Sequence, residues 1–289
     1  MQLYPIIMNI VKHKDYYYLA HSFRKEGKVV HREKYLGKKI AENIEEVKER
    51  FLRECMEESI IKKLKSIKKR FLNEWKSYPE SVKKEVLIDL SINFTYNTNA
   101  IEGSTITLHE TEDIIRRKIA PNKPLRDVQE TINHSKVFFK VLNAKKEISA
   151  KDILLWHKEV FSDTKPDIAG KLRDYLVRVG SYTAPDWQDI GKLIKEFFLW
   201  YGEKKKIINP IELAARTHYK FEKIHPFGDG NGRIGRLIIA YILRSNTYPL
   251  LIIEHKKRKA YYRALGKTEN DFVSYFMRAY VSAHKRYLI

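Results

Sequence analysis

The sequence predicts a mainly α-helical fold with a small β-rich element at the N-terminus. Three observations carry this. Apolar residues recur with helical spacing from about residue 40 onward. Alternating β-formers occupy residues 1 to 38. Four of the chain's 12 glycines crowd into the eight positions from Gly228 to Gly235, at the mouth of an apolar helical run.

A chain of 289 residues, 43% hydrophobic and 12% aromatic, can bury a full core as one large domain with an appendage. The formal charge of +20 favours polyanionic partners such as nucleotides, nucleic acid or acidic proteins. Its lysines, however, come in short clusters ("KKLKSIKKR", "GEKKK", "HKKRK") among acids, which reads as a solvated basic surface. The single cysteine, Cys55, excludes an internal disulfide framework and any multi-cysteine metal site. No run approaches the roughly 18 apolar residues of a membrane span and no secretory leader is evident, so a cytoplasmic location without a membrane partner is expected.

In chain order, "YYYLAHSFR" and "VVHREKYLG" form two β-rich runs around the turn-like "KEGK", giving a small N-terminal element over residues 1–38. Apolar positions 40, 44, 47, 51, 52, 55, 56, 60, 64, 67, 71 and 75 then mark a long helix within residues 39–78, joining that element to a domain over residues 79–289. "TLHE" at 107–110 and "SAKD" at 149–152 read as capped helix starts. "DYLVRVGSYTAPDW", 174–187, alternates β-formers around Gly180 and predicts a short hairpin at 174–183. Helices follow at about 188–203, 209–223, 231–245, 256–266 and 270–285.

The chemistry concentrates in "IHPFGDGNGRIGRL", residues 224–237. A glycine-rich turn opening a helix presents several backbone N–H groups and the positive end of the helix dipole, which suits phosphate. Arg233 and Arg236, three residues apart, share a face and can reach further phosphoryl oxygens. Asp229 is a hard oxygen ligand of the kind Mg²⁺ takes alongside substrate phosphates. His225 is the one group in the stretch that exchanges a proton near neutral pH. Other motifs fail on spacing: Tyr261 stands where a Walker A loop ending in "GKT" would need its first glycine, and Arg233 and Ile234 stand where an EF-hand needs an oxygen donor and a glycine.

"HPFGDGNGRIGR" resembles the signature of the Fic family, H-x-F-x-[DE]-G-N-G-R-x-x-R, at every specified position, and the similarity extends over much of residues 80–270, including "AGKLRDYLVRVGSYTAPDW" and "YYRAL". The resemblance implies a Fic-type helical bundle with a β-hairpin flap, and transfer of AMP from ATP to a protein hydroxyl. By position, His225 would be the base, Asp229 the Mg²⁺ ligand, Gly230, Asn231 and Gly232 the anion hole, Arg233 the β-phosphate ligand and Arg236 the γ-phosphate ligand. Tyr262 would line the adenine pocket, although "GKTEND" after it departs from the family's spacing. "TNAIEG" resembles the family's inhibitory motif [ST]-x-x-x-E-[GN], placing Thr98, Glu102 and Gly103 at the end of an inhibitory helix over about 84–102. Glu102 would then pair with Arg236 and restrain the enzyme.

Removal of AMP, or another nucleotide-dependent phosphotransfer at the same site, is the alternative chemistry. A reading from another class makes the Fic domain a nucleotide sensor and residues 1–38 an adaptor for nucleic acid or protein, with Tyr16, Tyr17, Tyr18, Arg24, Lys25 and Lys28 as contacts. A homodimer is compatible with all of these.

Overall fold

A computed structural model of the chain describes residues 8–25, 28–180 and 182–288, without the side chains of residues 23–25, 28, 49, 52, 53 and 56–59. Contacts divide it between Ser66 and Ile67 into an N-terminal and a larger C-terminal unit.

In the N-terminal unit, β1 (Met8–His13), β2 (Tyr16–Lys25) and β3 (Lys28–Gly37) form one antiparallel sheet in that order. The register sets Val11 opposite Tyr18 and Tyr18 opposite Tyr35. Two β-rich runs were expected and three strands are found. The polar and charged residues Asn9, Lys12 and His13 dilute the local β signal of β1, and pairing along β2 completes it. One face, with Leu19 at its centre, is covered by Phe51 and Cys55 of the long helix α1 (Ile44–Ser77), flanked by Met8, Leu36 and Val47. Strand alternation puts Tyr16, Tyr18 and Tyr35 on the other face. The turn residues Glu26 and Gly27 lie outside the described residues, as do the side chains of Arg24, Lys25 and Lys28.

In the C-terminal unit, Pro79 precedes α2 (Glu80–Ile101), and α3 (Leu108–Glu112) runs into a π-helical turn at Asp113–Arg117. The series continues with α4 (Leu125–Leu142), α5 (Ala150–Phe161), α6 (Ile190–Lys204), α7 (Pro210–Ile224), α8 (Asn231–Ser245), α9 (Arg258–Leu265) and α10 (Glu269–Ala283). Both expected caps form: Thr107 with Glu110, and Ser149 with Asp152, each exchange reciprocal hydrogen bonds. The predicted hairpin is present but short, with β4 (Arg178–Val179) and β5 (Tyr182–Thr183) turning at Gly180, whose φ is 60°. Among the described residues no helix is long and apolar enough to cross a membrane.

At the centre lies α8, buried without interruption from Arg233 to Leu243 and packed on α7 and α4. A helix buried all round needs apolar residues on every face, which "LIIAYIL" supplies. Phe221 on α7 is fully buried between Phe197 of α6 and Phe227 of the glycine loop, with ring centroids at 6.0 and 6.2 Å. Truncating it leaves a cavity directly beneath that loop. Phe221→Ala should therefore lower the stability of the C-terminal unit by ~3–5 kcal/mol in denaturant titration.

Candidate active site

The loop that carries the motif is bounded by two left-handed residues. His225 ends α7 at φ 51°, and Gly230 opens α8 at φ 78°. The reversal at His225 costs a non-glycine residue of order 1–3 kcal/mol, so surrounding contacts must hold it. They are plentiful. Arg173, 4% exposed, donates from Nε to the His225 carbonyl (2.8 Å), from Nη1 to the Tyr175 carbonyl (2.8 Å) and from Nη2 to the Pro185 carbonyl (2.6 Å). Its backbone N–H adds a bond to the Pro226 carbonyl at 2.9 Å. One buried guanidinium thus joins the loop to both flanks of the hairpin.

Within the loop, the Asn231 side chain accepts from the Phe227 N–H and donates to the Phe227 carbonyl, both at 2.9 Å. Its amide is therefore a brace, and what Asn231 offers an anion is its backbone. His157 braces the same turn from α5. Its Nδ1 accepts from the Gly170 N–H (2.9 Å), which leaves the proton on Nε2 to donate to the Asp229 carbonyl (3.0 Å). The His157 ring stacks on Phe227 with centroids 3.9 Å apart. Burial lowers its pKa to about 4, so it stays neutral in this role.

The glycine spacing now has a physical cause. A Cβ on Gly230 would strike the Phe161 ring besides straining its positive φ, and one on Gly232 would overlap the Glu102 carboxylate. Both positions exclude side chains because other groups occupy that space.

His225 is half-buried, its Nδ1 3.4 Å from the Glu222 carbonyl. Burial lowers its pKa below the ordinary imidazole value, so it is largely neutral near pH 7. The Asp229 pKa lies at about 2: burial opposes ionisation, but Arg233, Lys165 and the Gly230 N–H together outweigh it. Its Oδ1 accepts from the Gly230 N–H at 2.5 Å, and Oδ2 accepts from Lys165 Nζ at 2.6 Å. Arg236 is 2% exposed, donates from Nη2 to Glu102 Oε1 at 2.5 Å and to the Thr98 carbonyl at 3.2 Å, and leaves Nε and Nη1 without a partner among the described residues. Thr98, Glu102 and Gly103 all sit at the C-terminal end of α2, where Gly103 turns the chain at φ 93°. Tyr262 is 44% exposed and shares with His225, Tyr182, Leu265 and Gly266 a cavity of about 440 Å³ beside the hairpin.

The structure thus gathers His225, Asp229, Gly230, Asn231, Gly232, Arg233, Arg236 and Glu102 around the start of α8, with Tyr262 in the adjoining cavity. Four further residues were not singled out from sequence: His157, Arg173, Lys165 and Glu130, whose carboxylate accepts from Arg233 Nη1. The only signal for any of them was the stretch "AGKLRDYLVRVG", which contains Arg173.

The start of α8, two buried arginines, an ionised carboxylate and a neutral histidine together make a site whose chemistry suits a phosphate group. Residues 147–243 match the Fic/DOC family, so the chain carries a Fic domain. It is 33% identical over 201 residues to "Protein adenylyltransferase Fic" of Nematostella vectensis, covering 68% of this chain and 47% of that protein. It is 35% identical over 188 residues to the protein of the same name from Drosophila ananassae, covering 63% and 38%. The chain thus spans about half or less of the curated relatives' length. Among solved structures, Fic-1 (residues 134–508) from Caenorhabditis elegans superposes with a TM-score of 0.68 at 28% identity, over 82% of this chain and 72% of that one. A Fic domain containing signaling protein from Bacteroides thetaiotaomicron shares the fold, with a TM-score of 0.67 at 24% identity over 75% and 94%.

Burial also sets an acid limit on this architecture. His134 and His218, both fully buried, have pKa values pushed down to about 3, and His157 to about 4, chiefly by desolvation. The unfolded chain protonates these rings near pH 6.5 while the folded one resists, so each proton taken up below that pH favours unfolding. Thermal melting should show the midpoint falling steadily from pH 6.5 towards 4, with a shallower slope in His134→Gln.

Proposed function

We propose that this protein transfers AMP from ATP to a serine, threonine or tyrosine hydroxyl of a protein, and that Glu102 restrains the reaction. The observation that carries the reading is the Glu102–Arg236 ion pair at the mouth of a complete Fic motif. The names of the relatives, protein adenylyltransferases, support the same chemistry.

The target hydroxyl oxygen attacks the α-phosphorus, a new O–P bond forms, the bond from the α-phosphorus to the bridging oxygen breaks, and pyrophosphate leaves. His225, neutral and at the site's edge, takes the hydroxyl proton. The N–H groups of Gly230, Asn231 and Gly232 face the phosphate chain at the start of α8, with Arg233 and Arg236 neutralising its β and γ groups. Tyr262 packs against the base in the cavity beside the hairpin, and the hairpin edge aligns the target segment by strand addition.

A single ionised carboxylate beside an anion-binding turn suits Mg²⁺, which fills its remaining positions with phosphate oxygens and water. Among the described residues no group of three His, Cys, Asp or Glu offers a cage of its own. Asp229 would hold the ion, whose charge would help neutralise the diphosphate.

While Glu102 occupies Arg236, the arginine cannot also grip a γ-phosphate, and ATP is poorly oriented for attack. Incubating the protein with α-labelled ATP, Mg²⁺ and cell lysate should give little protein-bound label with wild type, at least ~10-fold more with Glu102→Gly, and none with Glu102→Gly/His225→Ala. Equal labelling by wild type and Glu102→Gly would refute the restraint, and γ-label in place of α-label would refute AMP transfer. In Glu102→Gly, kcat/KM should rise with pH and level off, with its midpoint below pH 6.5 because burial lowers the His225 pKa. A midpoint above that value would exclude His225 as the base.

A cytoplasmic setting accords with a sequence that contains a single cysteine. An additional partner, nucleic acid or protein, at residues 1–38 is supported by the clustered rings of Tyr16, Tyr18 and Tyr35, 5.4–5.7 Å apart, with Lys38 Nζ 5.6 Å from the Tyr16 ring.

A further inference from the structure

The restraint on Arg236 has a counterpart on the opposite side of the loop. Lys165, in the segment after α5, places Nζ 2.6 Å from Asp229 Oδ2 and 3.0 Å from Glu130 Oε1. The other Glu130 oxygen accepts from Arg233 Nη1, and Arg233 Nη2 lies 3.5 Å from Asp229 Oδ2. Asp229, Lys165, Glu130 and Arg233 thus close a ring of alternating charge with no net charge. Thr164 Oγ1 donates to Glu130 Oε1 at 3.0 Å, and both cations lie over the Phe161 ring, at 4.9 Å for Lys165 and 4.3 Å for Arg233.

The ring is asymmetric in its access to solvent. The Glu130 and Arg233 side chains are 8% and 6% exposed, whereas that of Asp229 is 46% exposed. The bond open to exchange is therefore Lys165–Asp229, at the carboxylate assigned above to the metal.

We propose that Lys165 is a positioning residue that acts as the internal counter-cation of Asp229 and competes there with the divalent metal. This rests on the reading of Asp229 as the metal ligand. A metal arriving alone meets Lys165 and Arg233 as like charges beside a carboxylate already neutralised. A metal arriving with a diphosphate brings compensating negative charge, and Lys165 retains Glu130 as its partner. Metal and nucleotide consequently bind together, and free metal binds weakly. The chemistry selected is a divalent cation already complexed to a nucleoside di- or triphosphate.

The test is direct binding of Mn²⁺ to the full chain, read from the electron paramagnetic resonance signal of free Mn²⁺, with and without ADP and against an ADP-only blank. Without nucleotide, Lys165→Met should bind Mn²⁺ ~10-fold or more tightly than wild type, as expected when a cation in contact with a carboxylate is removed. Its additional gain from ADP should be smaller. Lys165→Arg keeps the charge and should behave as wild type, which a purely structural loss would not predict. Lys165→Gln, read in the same way, replaces the methionine variant if circular dichroism shows that variant unfolded. Adding Asp229→Asn to Lys165→Met should abolish the gain. Mn²⁺ affinity unchanged or weakened in Lys165→Met or Lys165→Gln, with binding still sensitive to Asp229→Asn, overturns the role of Lys165 and leaves the metal reading intact. Mn²⁺ binding indifferent to Asp229→Asn overturns both.

Discussion

A guanidinium at 2% exposure inside the central helix is the constraint around which the C-terminal unit is arranged. Arg236 cannot shed its charge, and an unpaired buried cation is strongly destabilising, so the fold must bring an anion to it. Burial works against the cation, but Glu102 more than compensates and holds the Arg236 pKa high. Glu222, the other carboxylate in that electrostatic environment, is raised to about 8 by its own burial and is mostly neutral at pH 7. Glu102 is therefore the working counterion. Its carboxylate, carried at the end of α2, also explains why position 232 holds no side chain, since a Cβ there would overlap it.

Loop geometry in the site is set by groups that make no claim on phosphate. Arg173, His157 and the Asn231 amide bond almost entirely to backbone atoms of the loop and its flanks. Such bonds hold N–H groups in place before any ligand arrives, and dipoles already oriented need not reorganise during reaction. The aromatic layer of Phe161, His157, Phe227 and Phe221 lies beneath them, so the loop rests on a rigid floor.

Electrostatically, the charged groups of the site neutralise one another. Carboxylates of Glu102 and Glu130 stand against Arg236 and Arg233, and an ammonium stands against Asp229. Without these partners the charges would be buried or half-buried and unpaired, at a cost of several kcal/mol each. Internal pairing removes that cost and makes ligand entry an exchange of partners.

The helical periodicity, the capping boxes at Thr107 and Ser149 and the glycine-rich turn that opens α8 were legible in the chain itself, because each depends on residues within about one or two turns of one another. So was the pairing of Glu102 with Arg236, though only through two recognisable motifs. The third strand β1 was not, since it takes its order from pairing with β2. Nor were His157, Arg173, Glu130 and Lys165, which lie 72, 52, 103 and 64 residues from the residues they bind. Apart from the family-like stretch that contains Arg173, nothing local marks such residues: a histidine on a helix or a lysine before a proline looks ordinary until packing removes water and leaves one polar group within reach. Local spacing therefore specified which residues form the glycine-rich turn, while long-range burial decided which groups hold that turn and which opposite charges pair with Arg233, Arg236 and Asp229.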